Sequence, residues 1–440
     1  MKRIGTALIL STALAVGAFT GCASAATTSS STSAQASSSA AAVVESSSSA
    51  SSTTTTVASA TGGVLDTSDM FTDRDLEQTA DTTNAKTITL TSGEDVQITE
   101  EGVYVISGTA TDVTITVNAD DSAKVQLVLD GASITNSDAP AIYVVSADKV
   151  FVTTTSGSTN TLAVTGSFAT TSEDNIDGVI FAKDDIVLNG LGTLNIESSD
   201  NGIVGKDDVK VTGGTYNITA AGHGIQGKDS VAIADGTFTI TAGTDAIHSE
   251  NSDDDSLGYV YIADGTFNLS ASSDGIEGDA AVQIDGGTFT INAGEAIEGT
   301  YVQINDGAIG IEATDDGINA TSKSSSYSVT LEINGGNITI NMAQGDTDAL
   351  DSNGDLFING GTVDITAQFA FDFDGQGQLN GGTVTVNGEQ VTELTNSMMG
   401  GGMGGMQGGP QGGMSSAPQG GMSGGPQGGM GSMGSRGGMR

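Results

Sequence analysis

Apolar and polar residues alternate along most of this chain. In one representative stretch Val231 and Ile233 alternate with Ala232 and Ala234, and Phe238 and Ile240 with Thr237 and Thr239. A period of two places the apolar set on one face of a strand. No copy of the pattern sustains an apolar period of 3.6 long enough for a helix. Two small or turn-forming residues punctuate the alternation before each β-prone run, at Gly213-Gly214, Asp235-Gly236, Asp264-Gly265, Gly286-Gly287, Asp306-Gly307, Gly335-Gly336, Gly360-Gly361 and Gly381-Gly382.

The pattern is also a repeat. DNGIVGKDDVKVTGGTYNITAA, from Asp200, is followed by GHGIQGKDSVAIADGTFTITAGT, and Gly202, Lys206, Asp207 and Tyr216 recur as Gly224, Lys228, Asp229 and Phe238, each 22 residues on. A small-residue anchor marks further copies at Gly178, Ala246, Gly275, Ala296, Gly317, Ala349 and Ala370. The two widest gaps hold the polar inserts NSDDDSLG and SKSSSYS, which belong on loops. A fixed period of this size marks a stacked repeat. Leucine-rich repeats have similar length but need a leucine framework, whereas these copies use Ile, Val and Phe. Three short strands joined by glycine turns remain, one coil of a parallel β-helix. Each coil buries its apolar face only by stacking on its neighbour, about 4.8 Å away.

In chain order, Met1–Ala25 reads as an export signal. Lys2 and Arg3 precede an apolar run from Ile4 to Phe19 that is short for a membrane span. Its end, Phe19-Thr20-Gly21-Cys22, resembles a bacterial lipobox, which implies lipidation of Cys22, the single cysteine of the chain. The alternative is an ordinary signal cut near Ala23-Ser24-Ala25. Residues 26–63, almost wholly Ser, Thr and Ala, form an expected flexible spacer. Residues 64–395 are the expected β-helix domain. Within it Asp66–Thr79 is expected to form a short helix that caps the first open coil. Residues 396–440 shift to Gly, Met and Gln and read as a disordered tail, with thioether capture of Cu(I) a lesser alternative.

Charge narrows the function. With 13 basic and 54 acidic side chains the formal charge is -41. Nucleic acid is excluded as a partner, because phosphate contacts need basic clusters. Such a surface seeks cations, directly or as bridges. Stacking turns equivalent positions into columns. The residue before the anchor reads Asp177, Asn201, His223, Asp245, Asp274, Glu295, Asp316, Asp348, and two residues after it the later coils read Glu277, Glu298, Asn319, Asp351, Asp372. Like charges about 5 Å apart repel by roughly 3 kcal/mol at an effective dielectric of 20. Oxygen-rich, sulfur-free clusters suit Ca²⁺, so Asp177, Asp245, Asp274, Glu295, Asp316 and Asp348 are candidate metal ligands. The alternative is a solvated acidic edge.

A second column, Lys183-Asp184, Lys206-Asp207 and Lys228-Asp229, stands on successive coils near His223. It is either a lattice of surface ion pairs or a stripe that meets sugar carboxylates. On the second reading Lys183, Lys206, Asp207, His223, Lys228 and Asp229 bind ligand. His223 and His248 occupy different positions within their coils. No nucleophile elbow, zinc motif or P-loop is present, and no catalytic residue is assigned.

DMFTDRDLEQT, GVYVISGT, VQLVLDGASIT, HGIQGKDSVAIADGTFTITAG and the glycine–methionine tail together resemble a family of bacterial carbohydrate-binding parallel β-helix proteins, typified in a cellulose-degrading clostridium. The resemblance covers about residues 66–395. It implies a right-handed β-helix of the pectate-lyase type, bound Ca²⁺, and binding of cellulose and acidic sugars such as polygalacturonate. The expectation is an all-β, non-catalytic, monomeric binder of acidic or cell-wall polysaccharide, extracellular and lipid-anchored to the outer face of the bacterial membrane. The alternatives are a calcium-dependent polysaccharide lyase using Lys206 or Lys228 as base, and a structural surface adhesin.

Overall fold

The computed structural model describes residues 62–169, 175–345 and 347–396. The expected export signal, the lipidation at Cys22, nearly all of the spacer and all but the start of the tail lie outside these residues. Among the described residues there is no helix, and so none long and apolar enough to cross a membrane. Among the described residues thirty-four strands form one continuous hydrogen-bonded sheet.

Pairing is parallel and joins equivalent positions of successive repeats. Ser230–Ile233 lies between Asp208–Val211 and Tyr259–Ile262, with Val231 opposite Val209 and Val260. Thr237–Ala242 lies between Thr215–Ala220 and Thr266–Ala271, with Phe238 opposite Tyr216 and Phe267. Ile225–Gly227 lies between Asn201–Gly205 and Ile247–Ser249. The alternation in sequence thus becomes an inside and an outside: Phe238 and Ile240 are buried, while Thr237, Thr239 and Thr241 are exposed.

In-register stacking puts like on like in the core. The rings of Tyr216, Phe238, Phe267 and Phe289 form a column with centroids 5.3, 4.8 and 4.5 Å apart. Beside it runs a column of Ile218, Ile240, Leu269, Ile291, Ile311 and Ile340, all buried. Each such side chain contributes about 1.5–3 kcal/mol relative to exposure. The turn glycines make room for the aromatic column. Gly287 has φ +106°, and a Cβ there would lie 3.0 Å from the Phe289 ring and 3.1 Å from the Gly265 carbonyl.

One antiparallel pair is present among the described residues. Thr383–Val386 turns back on Glu389–Val391 through Asn387 and Gly388, both at positive φ. Asn-Gly is the sequence such a two-residue hairpin demands. The hairpin makes the last strand pairing of the stack.

The segment expected as a helical cap is neither helical nor at an end. Residues 66–79 form turns: Asp66 takes up Ser68, and Thr72 and Asp75 exchange side-chain to backbone bonds. Those bonds satisfy the backbone locally and close a single turn that does not continue. The extended remainder runs down the outside of the stack as a strap. Val64 and Leu65 donate backbone N–H bonds to Gln303 and Gln283, both 2.8 Å. Met70 then packs on Ala232 and Tyr261, and Gln78 bridges Thr212 and Gly190. Arg74 lies over the Phe151 ring at 4.5 Å, and fully buried Asp75 pairs with Lys149 at 3.3 Å. A row of Gln, Tyr, Asn and Phe on this outer face offers the strap partners that water would otherwise supply.

Candidate functional site

Backbone hydrogen bonds set the acidic column. Asn201 N–H donates to the Asp177 carbonyl, Gly202 to His223, Gly224 to Asp245, Ala246 to Asp274, Ala296 to Asp316 and Gly317 to Asp348, at 2.9–3.2 Å, and Asp274 pairs in register with Glu295. Side chains reinforce the stacking. The backbone N–H of His223 donates to Asn201 Oδ1, that of Asp274 to Asp245 Oδ1, and that of Asp348 to Asp316 Oδ1, at 2.7–2.9 Å. The six expected metal residues therefore share one column, though Asn201 and His223 separate Asp177 from Asp245. The companion column is equally continuous: His248, Glu277, Glu298, Asn319, Asp351 and Asp372 pair successively.

The two columns converge. Carboxylate oxygens of Asp245, Asp274 and Glu277 lie within 4.8 Å of one another, as do those of Asp274, Glu295 and Glu298. Asp245, Asp274, Glu277 and Glu298 are each at most 7% exposed, so these are not charges dissolved in water. Burial, then the charges of Asp245, Glu277, Glu298 and Glu295, push Asp274 up to about 8. Glu295 rises to about 7, first by burial and then by Glu298 and Asp316, against a hydrogen bond from Asn319. Asp351 also reaches about 7, through burial and then Asp316, Asp372 and Asp348. Asp245 behaves oppositely. Burial favours its neutral form, but His223, His248 and the Asp274 amide outweigh that and hold it well below the carboxylate range.

Two features of the site were not expected. Lys323, from the SKSSSYS insert, reaches into the columns and ion-pairs with both Glu277 and Glu298, with Asp279 3.9 Å away. The inserts also meet each other, as Ser324 and Ser325 bond Asp255 of NSDDDSLG. Second, His223 and His248, which occupy different positions within their coils, stack with centroids 4.4 Å apart beside Asp245. The signal for this was legible: the position before one anchor and the position two after the next anchor lie on neighbouring coils and border the same turn.

The lysine column also exists. Lys183, Lys206 and Lys228 donate backbone N–H bonds to the coil before, at Val144, Ala182 and Gly205. Its side chains take different partners. Lys228 pairs with Asp253 of the insert at 2.5 Å, and Lys206 lies over the Phe181 ring at 5.2 Å. Asp229 accepts from Asn251 at 2.6 Å. Burial, then the charge of Asp229, raises Asp207. His223 belongs to the acidic column rather than to the lysine stripe.

A further surface is uncharged. The outward residues of four paired strands read Thr215, Asn217, Thr219; Thr237, Thr239, Thr241; Thr266, Asn268, Ser270; and Thr288, Thr290, Asn292. The register carries this face on to Asn337, Thr339 and Asn341 through Ala308, Gly310 and Glu312.

A model of the carbohydrate-binding domain-containing protein family matches residues 92–346 and 294–398. A carbohydrate-binding domain-containing protein of Acetivibrio thermocellus is 36% identical over 126 residues, which are 28% of this chain and 44% of that protein. The match thus spans less than half of the relative's length. A solved gadolinium derivative of a polysaccharide lyase-like protein from C. thermocellum is 25% identical, covering 69% of this chain and 94% of its own, with a TM-score of 0.39.

Proposed function

Because the chain belongs to the family of carbohydrate-binding domain-containing proteins, we propose that it binds acidic polysaccharide without cleaving it, through Ca²⁺ held on the acidic columns. The observation that carries this reading is the convergence of Asp274, Glu295 and Glu298 within 4.8 Å of one another, with Asp274 and Glu298 buried. The donors fit the ion. They are oxygens without sulfur, and Asn319, whose Nδ2 meets Glu295 and Glu298, has its Oδ1 buried without a hydrogen bond. Asp274, Glu295, Glu298, Asp316 and Asp351 would hold Ca²⁺. The ion would supply positive charge between protein and sugar carboxylates that a chain of charge -41 otherwise repels. Of the two candidate lyase bases, Lys228 is a poor one, since its hydrogen bond to Asp253 raises its pKa.

The solenoid is taken as a right-handed β-helix of about 22 residues per turn. The domain is monomeric and is carried on the outer face of the cell membrane by a lipid on Cys22 and the spacer that follows. Titration calorimetry with polygalacturonate, in calcium and in chelator, tests the bridge: equal affinity in both removes it. Growth of unsaturated-uronide absorbance during incubation would restore the lyase.

One observation favours a second surface for an uncharged chain such as cellulose. The exposed Thr/Asn face carries few acids on a protein rich in them. Binding of cellulose that survives chelator and is lost on Thr239→Lys with Thr290→Lys would place the glycan there.

A further inference from the structure

The acidic columns offer only oxygen except at one point, where nitrogen enters. The chain has two histidines, and the fold brings both to the same turn. His223 Nδ1 and His248 Nδ1 lie 3.0 and 2.9 Å from the same atom, Asp245 Oδ2, and His248 Nδ1 is also 2.9 Å from Glu277 Oε2. Three of these residues, Asp245, His248 and Glu277, are over nine-tenths buried. Hydrogen bonding accounts poorly for the arrangement. His223 Nδ1 is buried yet makes no hydrogen bond despite its short contact. His248 Nδ1 carries at most one proton, which Asp245 and Glu277 would have to share in a three-centre bond. Two imidazolium rings stacked at 4.4 Å would repel each other.

We propose that His223, Asp245, His248 and Glu277 form a binding site for a borderline-soft divalent transition cation of the Zn²⁺ class. Two imidazole nitrogens and two carboxylate oxygens make the donor set such an ion prefers over Ca²⁺. Bonds of 2.0–2.2 Å place tetrahedral ligand atoms ~3.4 Å apart, and the Nδ1 and carboxylate atoms of His223, Asp245 and His248 already lie within 4.8 Å of one another. Coordination through Nδ1 leaves each ring proton on Nε2. For His248, Glu250 Oε2 stands 3.8 Å from that nitrogen, where a carboxylate would fix the tautomer from outside the ligand shell. The site goes beyond the calcium reading and does not rest on it, since its nitrogen donors contact Asp245 and Glu277, whereas the calcium ligands named above are Asp274, Glu295, Glu298, Asp316 and Asp351.

The test uses the full chain stripped by chelator and titrated with Zn²⁺ against a chromophoric competitor, in millimolar Ca²⁺, with Co²⁺ absorption as a second reading. The expected result is one equivalent of Zn²⁺ held despite the calcium, and a visible Co²⁺ band that Zn²⁺ abolishes. His248→Gln and His223→Gln should each weaken Zn²⁺ by more than the ~10–100-fold typical of losing an outer-shell partner. Asp316→Asn with Asp351→Asn should leave Zn²⁺ binding intact while reducing any calcium response, which separates the two ions. His223 is the more exposed histidine, so its variant keeps the test valid if His248→Gln fails to fold. Unchanged Zn²⁺ affinity in a folded His223→Gln, or displacement of Zn²⁺ by comparable Ca²⁺, overturns the proposal.

Discussion

Removing the ammonium of Lys323 while keeping most of its length, as in Lys323→Met, asks how much of the acidic site is held together by this chain's own cation. Lys323 pairs with Glu277 and Glu298, which are each 7% exposed and sit opposite one another on adjacent coils. At the inter-strand distance of about 4.8 Å, two such charges repel by roughly 3.5 kcal/mol at an effective dielectric of 20. Breaking a buried ion pair from one side typically costs about 3–5 kcal/mol. Lys323→Met should therefore lose about 3–5 kcal/mol in chelator. Calcium should return part of the loss, about 2.7 kcal/mol at a hundred times its Kd, and the variant should gain more from calcium than the parent does. The loss should shrink toward pH 5, because protonating one of the two carboxylates removes the repulsion. Urea unfolding at pH 8 and pH 5, with and without calcium, reads all three. If parent and variant unfold at the same midpoint in chelator at pH 8, the insert lysine is a surface ornament and the buried-site argument fails.

Other outcomes follow from features away from this site. Asp185 is raised to about 6 by burial and then by Asp208, with Asp207 adding to and Lys149 and Lys210 opposing the shift. A folded pKa above the unfolded value of about 4 means stability present below pH 4 and lost as pH rises through 6. The loss is at most about 3 kcal/mol. Asp185→Asn should flatten melting temperature between pH 4 and 7 and raise it at pH 7; parallel profiles for the two proteins would contradict this. Phe238→Ala opens a cavity in the aromatic column and breaks its stacks with Tyr216 and Phe267, costing ~3–5 kcal/mol. Thr239→Ala, next to it but facing solvent, should stay within about 0.5 kcal/mol. Denaturant midpoints that failed to separate the two would undo the inside–outside assignment.

Much of this architecture was legible because stacking turns sequence register into spatial register. Once Gly202 is aligned with Gly224, the pairing of Tyr216 with Phe238 and the stacking of Asp245, Asp274 and Glu295 need no further information. What escaped is what the repeat does not encode. Lys323 stands in an insert, and a repeat alignment gives no direction to an insert's side chains. The two histidines fell at different positions of the repeat, yet a turn brings those positions face to face. The strap failed for another reason. Its residues have charges and scattered apolar groups compatible with a short helix, and only the outward Gln283 and Gln303, more than 200 residues away, reveal where its backbone goes.

The strap also bears on when folding can finish. A solenoid can in principle build coil by coil as the chain appears, each new turn resting on the last. Here residues 64–78 lie against coils that contain Phe151, Thr212, Tyr261, Gln283 and Gln303. The start of this strap, at Val64 and Leu65, thus waits for partners made more than two hundred residues later. Until Gln303 exists Val64 has no place to dock, whereas Asp75 can meet Lys149 much earlier, so the strap closes from its far end back toward Val64. The strap is a late seal: it closes only once the coil of Gln303 is in place, and it ties the coils from Lys149 to Gln303, which would otherwise open one at a time, into a unit that opens together.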